Sequence, residues 1–205
     1  MSAVRLTCGL DEAGRGPMAG PVCAGAVILP DGFDVSILDD SKKLTEKKRD
    51  AAMREILLNA RSWGIGWASA AEIDTINILQ ASLLAMTRAY EEMLSRLSAR
   101  EGAFVPGDID AIVDGLYCPA IESGSVKALP RADGEFPEVM AASILAKTAR
   151  DRMMIRYGWL YPEYGYDRHK GYPTADHIRA LKENGPSPIQ RTTFRLKGEG
   201  QLRLF

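Results

Sequence analysis

The chain has 205 residues, 46% apolar and 26% charged, with a formal net charge of −1. That length buries one substantial core, and the near-neutral balance excludes a protein that is basic throughout, so any surface for a polyanion has to be local. Cys8, Cys23 and Cys118 are odd in number and form no C-x-x-C pair. This argues against a disulfide framework or a structural zinc site and for a reducing compartment. No basic-then-apolar leader opens the sequence, since Asp11 and Glu12 arrive too early, and the apolar run from Val22 to Leu29 is too short to span a bilayer. A cytoplasmic protein without membrane contact is expected.

Val4, Leu6 and Cys8 alternate toward a first strand ending near Asp11. "VCAGAVIL", Val22 to Leu29, predicts a second strand covered on both faces. Thr45 is placed to cap a helix whose apolar stripe includes Met53, Ile56, Leu57 and Ala60. "WGIGWAS" alternates large and small residues as a third strand, and a long helix follows with Ile76, Leu79, Leu83, Met86, Tyr90, Leu94 and Leu97 on its stripe. "DIDAIVDG" is a buried strand stopped at Asp114 and Gly115, "SGSVKALPRAD" a short strand leading to Asp133, and a helix runs from about Glu138 to Tyr157. From Pro162 the texture turns aromatic, basic and turn-rich, with a short helix from Thr174 as cap to Gly185 as stop. Strands alternating with long helices imply a layered α/β fold with a largely parallel sheet. No internal repeat or low-complexity segment is present.

The first glycine-rich turn, "LDEAGRGPMAGPV", carries Asp11, Glu12 and Arg15. Neighbours on a strand point to opposite faces, so the two acids converge on one site only if the strand ends there. Asp114 also closes an apolar strand, and in open α/β sheets sites lie beyond the carboxyl ends of strands. Clustered carboxylates repel, and oxygen-only ligands favour Mg²⁺ or Mn²⁺ over zinc; His169 and His177 are too few for a histidine-rich centre. Two such ions would suit phosphodiester cleavage. The same acids also fit a plainer reading, in which Asp11 and Glu12 decorate a turn and Asp114 marks a strand exit.

"DEAGRGPMAGPV", "DSKKL", "VDG", "AASILAKTARDR" and "HKGYPT", running in this order from Asp11 to Thr174, resemble the ribonuclease HII family. Arg15 between two glycines favours this type over the related type III enzymes. The resemblance implies a ribonuclease H-like α/β fold, with a mixed, mostly parallel central sheet flanked by helices and a helical C-terminal segment. It assigns catalytic and metal-binding roles to Asp11, Glu12, Asp114 and Asp133, with Mg²⁺ or Mn²⁺ as cofactor. At Asp133 the chain reads Arg-Ala-Asp where the family commonly has lysine, a small residue and aspartate, so Glu135 is the alternative. The expected organisation is a catalytic core over about 1–158, a substrate-cradling segment over about 159–197, and a tail over 198–205.

The resemblance also implies how substrate is read. Gly14, Arg15 and Gly16 would approach the 2′-hydroxyl that distinguishes RNA from DNA, and Tyr172 would stack on a sugar beside the junction. Arg15 alone also fits a surface salt bridge, while Tyr161, Tyr164 and Tyr166 are expected to pack. Ser41, Lys42 and Lys43, ahead of a helix start, and Ser143 and Lys147, four apart on one helix face, are candidate phosphate contacts. His169 and His177 are expected to be structural or phosphate-adjacent. The partners expected are an RNA/DNA hybrid or a DNA duplex containing ribonucleotides, cut 5′ to the ribose, by a monomer. "QLRLF" resembles the peptide with which bacterial replication proteins dock on the sliding clamp, through Gln201, Leu202, Leu204 and Phe205; folding back on the core is its alternative. Rival functions are another nuclease of the superfamily, which would lack the glycine-arginine-glycine turn, and a non-catalytic duplex binder, which would tolerate loss of the acids.

Overall fold

The computed structural model describes residues 5–38, 44–102 and 106–194. Five strands form one sheet: β1 (Leu6–Ala13), β2 (Val22–Ile28), β3 (Ser62–Ala68), β4 (Ile109–Asp114) and β5 (Ser125–Leu129), in the order β3-β2-β1-β4-β5. β1, β4 and β5 pair in parallel, while β2 is antiparallel to both β1 and β3. Four strands therefore run one way and β2 alone runs against them, the mixed, mostly parallel sheet expected.

The helices cover both faces. Ser69 and Glu72 form a capping box at the start of α2 (Ala70–Glu101). Its buried Ala81, Ala85 and Ala89 join Leu6, Leu10, Ala24 and Val113 in the larger core. The alternation in "WGIGWAS" has a steric reason: a Cβ on Gly66 would stand 2.0 Å from the Ala85 carbonyl oxygen, and one on Gly64 2.1 Å from that of Ala89. At Asn77 (φ 67°) α2 breaks, and the Asn77 side chain accepts from the amides of Leu79 and Gln80, recapping the helix beyond the kink.

The opposite face carries α1 (Glu46–Asn59), capped by Thr45, and α3 (Pro137–Leu160), around Met53, Ile56, Ala141, Ile144 and Leu145. A third cluster joins Met18, Ala19 and Met154 to Tyr164, Tyr166, Leu181 and Ile189. It fastens α4 (Tyr166–His169) and α5 (Ala175–Asn184), capped by Thr174 and stopped at Gly185, onto the β1–β2 turn. No helix among the described residues is long and apolar enough to cross a membrane.

The first strand does not end at Asp11. Its parallel ladder with β4 stops at Leu10, but its pairing with β2 continues through Asp11, Glu12 and Ala13. The sheet opens on one side only, and the acids sit at that opening.

Candidate active site

Asp11 belongs to β1, Asp114 is the last residue of β4, and Asp133 lies in a single 3-10 turn after β5. Parallel pairing places the ends of β1, β4 and β5 at one edge, and each of the three acids offers a carboxylate oxygen within 4.8 Å of the others. Asp114 Oδ1 accepts the Ala132 amide at 2.9 Å, which ties the Asp133 turn to the end of β4. Arg131 takes the left-handed region there (φ 62°). Glu135 is not in the group of three.

Asp11 is 5% exposed. Burial, then the charges of Glu12 and Asp114, push its carboxyl well above the usual carboxylate range, against hydrogen bonds from Ser143 and the Glu12 amide. Burial also raises Glu12, opposed by Arg15, whose guanidinium meets Glu12 Oε1 at 3.2 Å. Glu12 stands outside the group of three because the extended strand turns adjacent side chains apart. An oxygen-only set of three carboxylates gathered this closely fits a hard divalent ion.

Beside the acids opens a cavity of about 520 Å³, lined by Glu12, the stretch from Ala13 to Gly16, Arg49, Ser143, Lys147, Arg150 and Tyr172. Its floor depends on Gly14, at φ +104°, where an added Cβ would lie 2.0 Å from Arg150 Nε. Tyr172, 43% exposed, sits against Gly16, where a Cβ would stand 3.6 Å from the ring. Gly14, Arg15, Gly16, Tyr172, Ser143 and Lys147 therefore share one wall system. Lys147 is engaged with Asp151 at 2.8 Å, and Ser143 is buried beside Asp11. Ser41, Lys42, Lys43, Gln201, Leu202, Leu204 and Phe205 lie outside the described residues.

The tyrosine is presented by a braced loop. Its amide donates to the His169 carbonyl at 2.9 Å, Thr174 N donates to the Tyr172 carbonyl, and Met18 N donates to the Gly171 carbonyl at 2.8 Å. His169 and His177 stack beneath it, ring centroids 4.6 Å apart. His177 Nδ1 meets the Tyr172 carbonyl at 3.0 Å, and His169 Nδ1 accepts the Gly171 amide. Burial lowers both histidines, against carbonyl contacts that raise them, and their bonds fix both rings as structural supports of the loop. Tyr164 and Tyr166 are stacked in the core.

Three arginines were not anticipated from the sequence. Arg49 of α1 lines the cavity. Arg150, 1% exposed, follows Ser143 and Lys147 and precedes Met154 on one face of α3, a spacing that marks it. It donates to the carbonyls of Pro21, Ala19 and Lys170. Arg191, also 1% exposed, lies in an irregular segment where no periodicity marks it. Burial, then the nearby Arg150, pushes its guanidinium down to about 9.

The sequence model of the ribonuclease HII family matches residues 8–197. Ribonuclease HII of Treponema denticola is 59% identical over 198 residues, 94% of this chain and 99% of that protein. Among solved structures, ribonuclease H2 from Pyrococcus horikoshii OT3 superposes with a TM-score of 0.68 at 25% identity, covering 92% of this chain and 93% of that one. The ribonuclease HII of an Archaeoglobus fulgidus PCNA:RNase HII complex gives 0.66 at 24% identity, over 98% and 100% of the two chains, a likeness of fold. With three acids brought together at the sheet edge and nearly the whole length matched, this chain belongs to the ribonuclease HII family and is a hydrolase of that kind.

Proposed function

We propose that the protein is an endoribonuclease that hydrolyses the phosphodiester 5′ to a ribonucleotide, in RNA/DNA hybrids and in DNA duplexes with embedded ribonucleotides. The products would carry a 3′-hydroxyl and a 5′-phosphate, and the biological role would be ribonucleotide removal from DNA in the cytoplasm, by a monomer. The observation that carries this reading is the group formed by Asp11, Asp114 and Asp133, beside a cavity walled by the Gly14–Gly16 turn and Tyr172.

Asp11, Asp114 and Asp133 would hold Mg²⁺ or Mn²⁺, with Glu12 completing the ligands from the cavity side. Two such ions, when held there, would supply Lewis-acid chemistry suited to phosphodiester hydrolysis. The chain's own work is binding and orientation. The backbone of Gly14, Arg15 and Gly16 would meet the 2′-hydroxyl, which glycines permit because no Cβ blocks the approach. The exposed Tyr172 ring would stack on the adjoining sugar, while Ser143, Lys147 and the Ser41–Lys43 stretch would hold phosphates without reading sequence. His169 and His177 are engaged beneath the loop, which leaves them no part in moving the reacting proton.

The test is a labelled DNA duplex carrying one ribonucleotide, incubated with Mg²⁺, Mn²⁺ or chelator. A metal-dependent cut 5′ to the ribose is expected; an intact strand under every metal condition overturns the reading. The Archaeoglobus fulgidus protein is found with PCNA. For this chain we propose docking of Gln201, Leu202, Leu204 and Phe205 on a bacterial sliding clamp. Truncation after Glu199 should abolish clamp retention, and equal retention by both lengths ends that idea.

A further inference from the structure

The β1–β2 turn reads as though it should be loose, with Gly14, Gly16 and Gly20 and two prolines within eight residues. Instead, Arg150 braces its far end at Ala19 and Pro21, and a side chain from the far end of the chain grips the Gly14–Pro17 part. Arg191 donates through Nη2 to the Gly14 carbonyl at 2.6 Å, through Nη1 to those of Arg15 at 3.1 Å and Pro17 at 2.7 Å, and through Nε to that of Gly20 at 2.8 Å. The segment bearing it is itself locked. Arg191 N donates to the Met18 carbonyl, Gln190 Nε2 donates to the same carbonyl, and Ala19 bridges Gln190. On its other side, Asp74 of α2 accepts both the amide and the hydroxyl of Thr192 and of Thr193, at 2.6–3.0 Å.

Peptide geometry gives this a consequence. The described bonds are all trans, so a carbonyl and the amide that follows it point in opposite directions. Turning the Gly14 and Arg15 carbonyls onto a buried guanidinium turns the Arg15 and Gly16 amides away from the interior, and Arg15 and Gly16 line the cavity. A buried guanidinium is costly without partners. Here the partners are backbone carbonyls rather than an ion-paired carboxylate, so the charge is spent on fixing the turn.

We infer that Arg191 is a positioning residue, anchored through Thr192 and Thr193 to Asp74, that sets the orientation of the Arg15 and Gly16 amides and so the discrimination of ribose from deoxyribose at this site. The discrimination rests on the functional reading above; the orientation does not. Lysine cannot replace this fork, because one ammonium on a flexible stem does not reach four fixed acceptors.

The experiment compares wild type with Arg191→Lys, Asp74→Asn and Leu97→Ala, the last a core variant remote from the turn used to match the loss of thermal stability. Two readouts are taken: hydrogen exchange of the amides from Gly14 to Gly20 in the free protein, and binding in Ca²⁺ to duplexes with and without one ribonucleotide. Arg191→Lys is expected to speed exchange in the turn and to cut the binding preference for the ribonucleotide duplex by about tenfold or more, with all-DNA binding changed by no more than about twofold. Asp74→Asn should shift both readouts in the same direction by less, and it judges the idea if Arg191→Lys fails to fold. Leu97→Ala should leave exchange in the turn and the preference at wild-type values. Wild-type exchange in the turn of both Arg191→Lys and Asp74→Asn, or an equal change in Leu97→Ala, overturns the inference. If wild type itself shows no ribonucleotide preference, the functional reading falls, and turn exchange alone then judges Arg191.

Discussion

The Ala132 amide hydrogen-bonds Asp114 Oδ1 at 2.9 Å, one residue before Asp133. A carboxylate at the end of one strand thereby fixes the turn that carries the next, so the two acids form a single mechanical unit. Asp114→Asn keeps the Oδ1 acceptor and removes the charge, whereas Asp114→Ala removes both. Cleavage should fall by about two to four orders of magnitude in either variant. Only Asp114→Ala should also lose about 1–2 kcal/mol of stability. Single-turnover cleavage and thermal melting separate the two effects.

Asp11→Asn should abolish cleavage while retaining duplex binding, and it should stabilise the metal-free protein. The sign follows from the raised carboxyl of Asp11. Its protonated form is favoured in the fold, so its contribution is full below the ordinary value of 3.8 and is lost as pH rises through the elevated one. Glu12 adds to the same trend from 4.5 upward. Other groups, including Glu72 and Asp74, titrate with the opposite sign. The measurement is therefore the melting-temperature difference between Asp11→Asn and wild type without metal, which should grow from pH 4 toward neutrality. Mg²⁺ or Mn²⁺ should narrow that difference by stabilising wild type alone.

Gly14→Ala combines two penalties, a positive φ that L side chains rarely adopt and a Cβ 2.0 Å from Arg150 Nε. A loss of about 2–4 kcal/mol is expected, together with loss of ribonucleotide cleavage. Gly16→Ala is the comparison, since its Cβ would find ordinary contact with Tyr172 and no positive φ is required. It should fold nearly as wild type, and its cleavage measures the cost of a methyl group at the sugar itself.

Tyr172→Ala should leave the melting temperature within about 1 °C of wild type, because the side chain is 43% exposed. Cleavage at a single ribonucleotide should drop about 10- to 100-fold, given the size of a lost stacking contact. Tyr172→Phe keeps the ring, and the portion of activity it restores isolates the hydroxyl's share.

Much of the architecture is local in origin. The Thr45, Ser69 and Thr174 caps sit at helix starts because each hydroxyl satisfies a free amide within its own segment. The "WGIGWAS" alternation is a strand because its glycines admit a helix backbone on one face. Asp11 and Asp114 were legible as acids near the carboxyl ends of apolar strands, where an α/β sheet opens, whereas Asp133 came only through the family resemblance. The short α4 and the break at Asn77 were not legible, since a four-residue helix has no period to detect and a kink depends on what packs beside it.

The arginines mark the boundary most clearly. Along the chain Arg191 is one cation among hydroxyl residues, separated from Gly14 by most of the protein, and nothing near it announces burial. Its role comes into being only when the segment from Ile189 to Thr193 lies against the β1–β2 turn and water is expelled, leaving four carbonyls and one guanidinium to satisfy each other. Periodicity and capping act over a few residues and can be read in one dimension. Desolvation and the pairing of distant polar groups depend on which surfaces meet, and that is decided in three.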